Sequence, residues 1–258
     1  MSARPDALAT DSLEKARAEA IRVEAVVRVF RGRHGELRAL DGMSLRAGRG
    51  EVIAVVGPSG CGKSTLLELI CGLQRPDGGE VKADPAVLMP QRDLLLPWLS
   101  ALDNAALALL ARGIPRRQAR AQAAPLLERL GLAGFERSRP DALSGGMRQR
   151  ISFARSLLAG KPVLALDEPF ASLDALTRAE MQSWLARALA AEPRTVVLVT
   201  HDVEEALLLA DRVVVMTPRP GRCAGELAVS LARPRERTNP ELVRLRAQAL
   251  ELLGVARE

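Results

Sequence analysis

Apolar residues gather in short runs bounded by glycine, proline or charge, and the period of each run separates strands from helices. Val52-Ile53-Ala54-Val55-Val56 is continuous, bounded by glycine and too short for a helix, which is the pattern of a parallel strand buried on both faces. PVLALDEPF and TVVLVT repeat that pattern, and RVVVM predicts another strand. Nearer the N-terminus, IRVEAVVRVF and LRALDGMSL alternate and are separated by RGRHGE, a strand–turn–strand signature. QRPDGGE then predicts a turn before strands VKA and AVLMP, and ELAVSLA predicts a last strand. Helical spacing places Leu66, Leu67, Leu69 and Ile70 on one packed side. It recurs through residues 101–133, in the segment carrying Ile151, Ala154, Leu157 and Leu158, over about 175–190, and in VEEALLLA. Pro240 marks the start of a final helix. Residues 101–133 thus form an all-helical insert between two strand-rich parts of an α/β chain.

Length and charge narrow the class. A chain of 258 residues, 48% hydrophobic, can bury a full α/β core as one large domain or a core with a subdomain. No uncharged apolar run approaches the roughly 20 residues that cross a bilayer. The first twenty residues are polar, alanine-rich and of mixed charge, so they read as an extension and not a secretory signal; a cytoplasmic chain is expected. Three cysteines without a C-x-x-C pair suggest neither zinc nor a disulfide framework. The formal charge of +6 fits either an anionic partner or an arginine-rich solvated surface.

The chemistry concentrates in EVIAVVGPSGCGKST. Strand, Gly57–Gly62 loop and helix follow one another around G-x-x-x-x-G-K-[ST]. Glycines let the backbone curl around an anion, so that loop N–H groups and the helix N-terminus face phosphate oxygens. Lys63 is expected across the β- and γ-phosphates of a nucleoside triphosphate, and the Ser64 hydroxyl on Mg²⁺. Asp167 and Glu168 end an apolar strand, where unpaired charge is costly to bury and where an α/β sheet presents its ligand crevice. Asp167 suits a Mg²⁺ shell and Glu168 suits proton abstraction from water. His201 directly follows a buried strand and suits either a structural role or that crevice, whereas His34 lies in a charged turn and is expected at the surface. Phe30 is either a core aromatic or a stacking platform. The proline-interrupted cluster Leu94-Leu95-Leu96-Pro97-Trp98 is either core or a docking loop.

With Leu143-Ser144-Gly145-Gly146-Met147 in place, the chain resembles the ATP-binding subunit of an ABC transporter from about residue 21 to 253. Phe30, GPSGCGKST, Gln91, LSGGM, Asp167-Glu168, Ser172-Leu173-Asp174 and His201 stand in family order. The resemblance implies a RecA-like α/β P-loop NTPase core with an N-terminal antiparallel β-subdomain and an α-helical subdomain. It implies an extension over 1–20, an ATPase domain over 21–235 with its helical part at about 92–158, and a helical tail over 236–258. It further implies ATP and Mg²⁺ as cofactors. Phe30 then stacks on adenine, where the family commonly has tyrosine. Gly57, Pro58, Ser59, Gly60, Cys61, Gly62, Lys63, Ser64 and Thr65 cradle phosphate; Ser64, Gln91 and Asp167 serve the metal. Glu168 is the general base, and Gln91 and His201 approach the attacking water and γ-phosphate.

By the same resemblance, Ser144, Gly145, Gly146 and Met147 close over the nucleotide of a second copy, and Asp174 speaks across a head-to-tail homodimer. Met147 departs from the usual glutamine; the contacts come from Ser144 and the glycine backbone, so hydrolysis is expected to survive. LSGGMRQR, LLPWLSALDN and the tail R-x-R-T-N-P-E-L-x-x-L-R resemble the importer branch for nitrate, taurine and aliphatic sulfonates. That implies a peripheral subunit on the cytoplasmic side of the membrane. A separate permease would be met through Gln91–Trp98, and a periplasmic solute-binding protein only indirectly. Other ABC transporters, exporters included, are the alternative. A nucleic-acid-associated ABC ATPase would suit the charge, but such proteins usually carry two cassettes or long coiled coils, and no nucleic-acid-reading motif is present. A P-loop kinase or GTPase leaves LSGGM unexplained and would need an N-K-x-D that is absent.

Overall fold

Residues 19–32, 35–191 and 194–254 are described by the computed structural model; His34 and most of the N-terminal extension lie outside them. The chain runs β1 (Glu19–Gly32), β2 (Gly35–Gly48), β3 (Val52–Val56), α1 (Lys63–Ile70), β4 (Gly78–Ala83) and β5 (Ala86–Met89). It continues through α2 (Ala101–Ala111), α3 (Arg116–Arg129), α4 (Gly145–Leu158), β6 (Val163–Asp167), α5 (Ala175–Ala191) and β7 (Thr195–Thr200). Then come α6 (Val203–Leu209), β8 (Arg212–Met216), β9 (Cys223–Ala228) and α7 (Pro240–Leu252).

Two sheets divide the strands. One is antiparallel in the order β2-β1-β4; the other runs β5-β6-β7-β3-β8-β9, parallel except for β9. The period of two along a strand explains why the parallel strands are apolar throughout. Val52, Ala54 and Val56 of β3 pack with the helices α2–α7, whereas Ile53 and Val55 pack with α1 and the antiparallel sheet. β6, β7 and β8 divide in the same way: Leu164 and Leu166 against Val163 and Ala165, Val196 and Leu198 against Val197 and Val199, Val213 and Val215 against Val214 and Met216. Every residue of β3, β6 and β7 is buried, so their carboxyl ends form a fixed edge for the loops that follow.

The helical insert is pinned by polar groups. Asp103, 3% exposed, accepts from both Arg116 and Arg120, and Ser100 caps the helix by accepting from the Asp103 amide. Hydrogen bonds from Arg120 and then Arg116 hold its carboxyl well below the usual range, against the opposing effect of burial. Fully buried Asn104 accepts from the Leu96 amide at 2.8 Å and donates to the carbonyls of Leu96, Leu99 and Ser100, clamping the loop before α2.

The C-terminal part differs from the sequence expectation. The last strand is Cys223–Ala228, three residues earlier than ELAVSLA suggests, because it pairs antiparallel with β8 as a half-exposed edge strand (Val214 opposite Glu226). A strand with one solvated side carries a weak apolar signal. Val229 is instead buried beyond the strand. Arg235, its side chain 2% exposed, donates to the carbonyls of Leu207, Ala210, Val229 and Leu231, serving the orphan acceptors at the end of α6. Asn239 caps α7 through the Glu241 amide, and Leu242, Leu245 and Ala249 enter the main core. Part of the net basic charge is therefore spent on internal backbone contacts.

Candidate functional site: a phosphate loop, a catalytic edge and a separate serine–glycine turn

The phosphate loop leaves β3 at Val56 and enters α1 at Lys63. Gly62 is the N-cap in the left-handed region, φ 108°, and a Cβ there would lie 2.8 Å from the Ala39 carbonyl oxygen and from Leu40. Only glycine fits. No side chain caps α1, so its first amides remain directed at the cleft. Lys63, 5% exposed, spans the loop from within: Nζ donates to the Gly57 carbonyl at 2.8 Å and to Pro58 at 3.0 Å.

A cleft of about 280 Å³ opens above this loop. Phe30, Ser59, Gly60, Gly62, Lys63, Ser64, Thr65, Gln91 and Glu168 all line it, which brings together nine of the residues singled out from the sequence. Phe30 is half-buried and not a core residue; it sits opposite Leu37 across the β1–β2 pair, and the Arg28 guanidinium lies 4.8 Å from its ring centre. Leu37, Ala39 and Arg219 also line the cleft and were not anticipated. Arg219 could have been suspected, since TPRPGR places a cation in a proline-rich turn at the carboxyl end of β8. Leu37 and Ala39 carry no local signal.

Gly57, Pro58 and Cys61 shape the loop without lining the cleft. Cys61 is 1% exposed and packs in the core with Leu66 and Met216, so only its backbone can serve a phosphate; its thiol is raised by that burial.

At the sheet edge Asp167 is 7% exposed. Burial raises its carboxyl, with the Glu168 charge adding to that, while a hydrogen bond from Ser64 and the Lys63 charge oppose it. Next to it, Glu168 adopts φ 46°, a strained conformation for a non-glycine residue, fixed by its amide donating to Val199 at 2.8 Å. That turn aims the carboxylate into the cleft. Glu168 Oε2 accepts from Gln91 Nε2 at 3.3 Å and lies 3.2 Å from His201 Nδ1. His201 therefore touches the Glu168 carboxylate, although its side chain lines a smaller neighbouring cavity and not the cleft itself. The oxygen donors of Ser64, Asp167 and Gln91 suit a hard divalent cation. Among the described residues no group of three or more His, Cys, Asp or Glu could hold a metal ion.

The remaining predicted residues lie elsewhere. Ser144 caps α4 by accepting from the Met147 amide at 3.2 Å, and Ser144 and Gly145 are exposed. Met147 is half-buried with its side chain packed against the main core. A Cβ on Gly146 would meet Leu173 at 3.1 Å, so this turn packs on the loop leading to Asp174. Asp174 is exposed and caps α5 through the Thr177 amide at 3.0 Å. Ser144, Gly145, Gly146, Met147 and Asp174 are all absent from the lining of the cleft.

Between the two regions runs the Gln91–Ser100 loop. Leu94 and Trp98 are 60% and 67% exposed, whereas Leu95 packs on the core. The core reading of the apolar cluster holds for Leu95, and Leu94 and Trp98 are left exposed. Arg148 of α4 donates to Asp93 at 3.0 Å, and Arg155 donates to the Asp93 and Leu94 carbonyls at 2.7 and 2.9 Å. These bonds tie the loop to the helix that begins at the serine–glycine turn.

Such a fold and cleft define a nucleotide-binding α/β cassette. The ABC transporter family profile matches residues 40–171. The chain is 44% identical over 214 residues to the taurine import ATP-binding protein TauB of Burkholderia pseudomallei, covering 80% of this chain and 82% of that protein. It is 42% identical over 234 residues to the aliphatic sulfonates import ATP-binding protein SsuB 2 of Burkholderia lata, covering 87% and 84%. An uncharacterised ABC transporter ATP-binding protein of Methanocaldococcus jannaschii is 41% identical over 90% of this chain and 91% of its own. Among solved structures, a dimeric bacterial ABC transporter cassette superposes with TM-score 0.75 at 28% identity, covering 82% of this chain and 99% of the other. A dimeric post-hydrolysis cassette bound to ADP and Pi gives TM-score 0.74 with the same identity and coverage. The chain belongs to the ABC transporter family, as an ATP-binding, ATP-hydrolysing cassette of the importer type. Among the described residues no helix is long and apolar enough to cross a membrane.

Proposed function

We propose that this chain is the ATPase subunit of an importer for a small sulfonated or oxyanionic solute such as taurine, an alkanesulfonate or nitrate. Relatives named for taurine and aliphatic sulfonate import support the solute class. The cassette occupies about residues 21–235, with its helical part at about 92–158, and the helical tail assigned to 236–258 meets it through α7.

ATP enters the cleft with its base on Phe30 and Leu37 and its phosphates on the α1 N-terminus, Lys63 and Arg219. Ser64, Gln91 and Asp167 would hold Mg²⁺, which would supply positive charge to offset the charge that develops on the transferring phosphate. Glu168 accepts a proton from the attacking water, Gln91 orients that water, and His201 steadies the γ-phosphate. The separation of the serine–glycine turn from the cleft carries the dimer: one copy supplies the phosphate loop, the other Ser144, Gly145 and Gly146 as donors aimed at the γ-phosphate. Asp174 lies at the same seam. The two dimeric cassettes among its structural neighbours support that arrangement. Closure on ATP and reopening after hydrolysis then move a permease docked on Leu94 and Trp98, with a periplasmic solute-binding protein delivering cargo on the far side.

The test is specific activity against protein concentration. Hydrolysis per chain should fall on dilution as dimers separate; full activity from chains shown by sedimentation to be monomeric overturns the shared site. Uptake of taurine, alkanesulfonate and nitrate by cells carrying the matched permease then identifies the solute.

A further inference from the structure

Behind His201 lies a second, smaller cavity of about 40 Å³, lined by Glu168, Phe170, Ala171, Arg178, Thr200, His201, Asp202 and Glu205. Two polar atoms are buried there without a hydrogen-bond partner, Arg178 Nε and Glu205 Oε1. Glu205 is only 4% exposed, and its other oxygen accepts from Gln182 Nε2 at 3.1 Å. An acid this deep inside a helix is costly unless it is satisfied, and its apolar neighbours on α6 would be better served by leucine. The cavity exceeds the 10–15 Å³ or so that one water requires, and it offers the partners a water needs.

The flanking bonds show what such a water would join. Arg178 also donates to the Leu173 carbonyl at 3.0 Å, holding the turn that presents Asp174. Glu205 sits in the first turn of α6, whose cap Asp202 immediately follows His201. We propose that Glu205 is a positioning residue for hydrolysis: one water bridges its Oε1 to Arg178 Nε and locks the His201 loop to the Asp174 loop. A chain of contacts extends this lock outward, since Gln182 also accepts from Arg237, which lies 3.7 Å from Glu204. The charged groups facing Glu205 are Arg178 from α5, Asp202 from its own cap, Glu168 and His201 across the cavity, and Arg237 beyond Gln182.

The lock depends on ionisation. Burial pushes Glu205 up to about 7, with the Asp202 charge adding to this and Gln182, Thr200 and Arg178 opposing it. Below that value the carboxyl is neutral and bridges weakly; above it the carboxylate draws Arg178 in. Glu205→Gln keeps shape and hydrogen bonding but stays neutral. Its kcat should equal that of the parent chain near pH 6 and fall about fivefold short near pH 8, with KM for ATP unchanged, which is the size expected for exchanging one charge-assisted hydrogen bond for a neutral one.

The inference rests on the assignment of Glu168 and His201 above, and Glu168→Gln in the same assay tests that assignment separately. If Glu168→Gln is inactive while Glu205→Gln follows the parent chain at both pH values, the lock is wrong and the site stands. If Glu168→Gln hydrolyses normally, the site itself is misassigned. A crystal structure of the full chain resolving waters provides a check without activity: a dry cavity between Arg178 and Glu205 overturns the proposal.

Discussion

Replacing Glu168 by glutamine changes one atom of a carboxylate whose surroundings are otherwise fixed. The Glu168 amide still pairs with Val199, the turn at φ 46° is kept, and Lys63, Ser64 and the α1 N-terminus are untouched. ATP affinity should therefore stay within about fivefold, since the groups proposed to meet phosphate are kept and a single neutral hydrogen bond is worth about 1 kcal/mol. Hydrolysis should not survive so well. The carboxylate oxygen that meets both Gln91 and His201, at 3.3 and 3.2 Å, is the base in the mechanism proposed above. An amide cannot take the proton, and removal of a general base lowers the rate roughly 10²- to 10⁴-fold, or about 3 to 5 kcal/mol of barrier. With hydrolysis slowed and binding intact, the closed dimer should accumulate. Single-turnover hydrolysis of labelled ATP, together with sedimentation in Mg-ATP, reads both quantities. A rate within tenfold of the parent chain, or a variant that binds ATP yet stays monomeric, would refute the reasoning.

Further outcomes follow from other parts of the fold. Gly62→Ala forces a Cβ to 2.8 Å from the Ala39 carbonyl at φ 108°, so nucleotide binding measured by calorimetry should be largely lost and stability should fall by about 1–3 kcal/mol in thermal unfolding. Leu94→Asp with Trp98→Asp should leave hydrolysis by the isolated chain unchanged and abolish permease capture, whereas Leu95→Asp should lower the melting temperature because that side chain is on the core. Asp103 has a depressed carboxyl, so its contribution is full above the unfolded value near 4 and is lost as pH falls through the lower folded value; Asp103→Asn should lose stability at neutral pH, and its deficit should shrink in acid denaturation below about pH 4.

Periodicity and local motif chemistry settled a large share of this protein before any contact was known. A strand buried on both faces must be apolar throughout, so β3, β6 and β7 stood out, and a loop that curls around phosphate must carry glycine, so Gly62 and Lys63 did too. Their order along the chain carried the family. What the linear chain does not encode is which side chains meet. Phe30 and Leu37 join the cleft through strand pairing, Arg219 reaches it from a turn more than 150 residues after the phosphate loop, and Glu205 and Arg178 line one small cavity from two different helices. Cys61 sits inside the motif yet points into the core, and Leu95 is half-buried against the core between exposed Leu94 and Trp98. Tertiary packing alone decides these, because burial depends on neighbours distant in sequence, and it alone places the serine–glycine turn away from the cleft of its own chain.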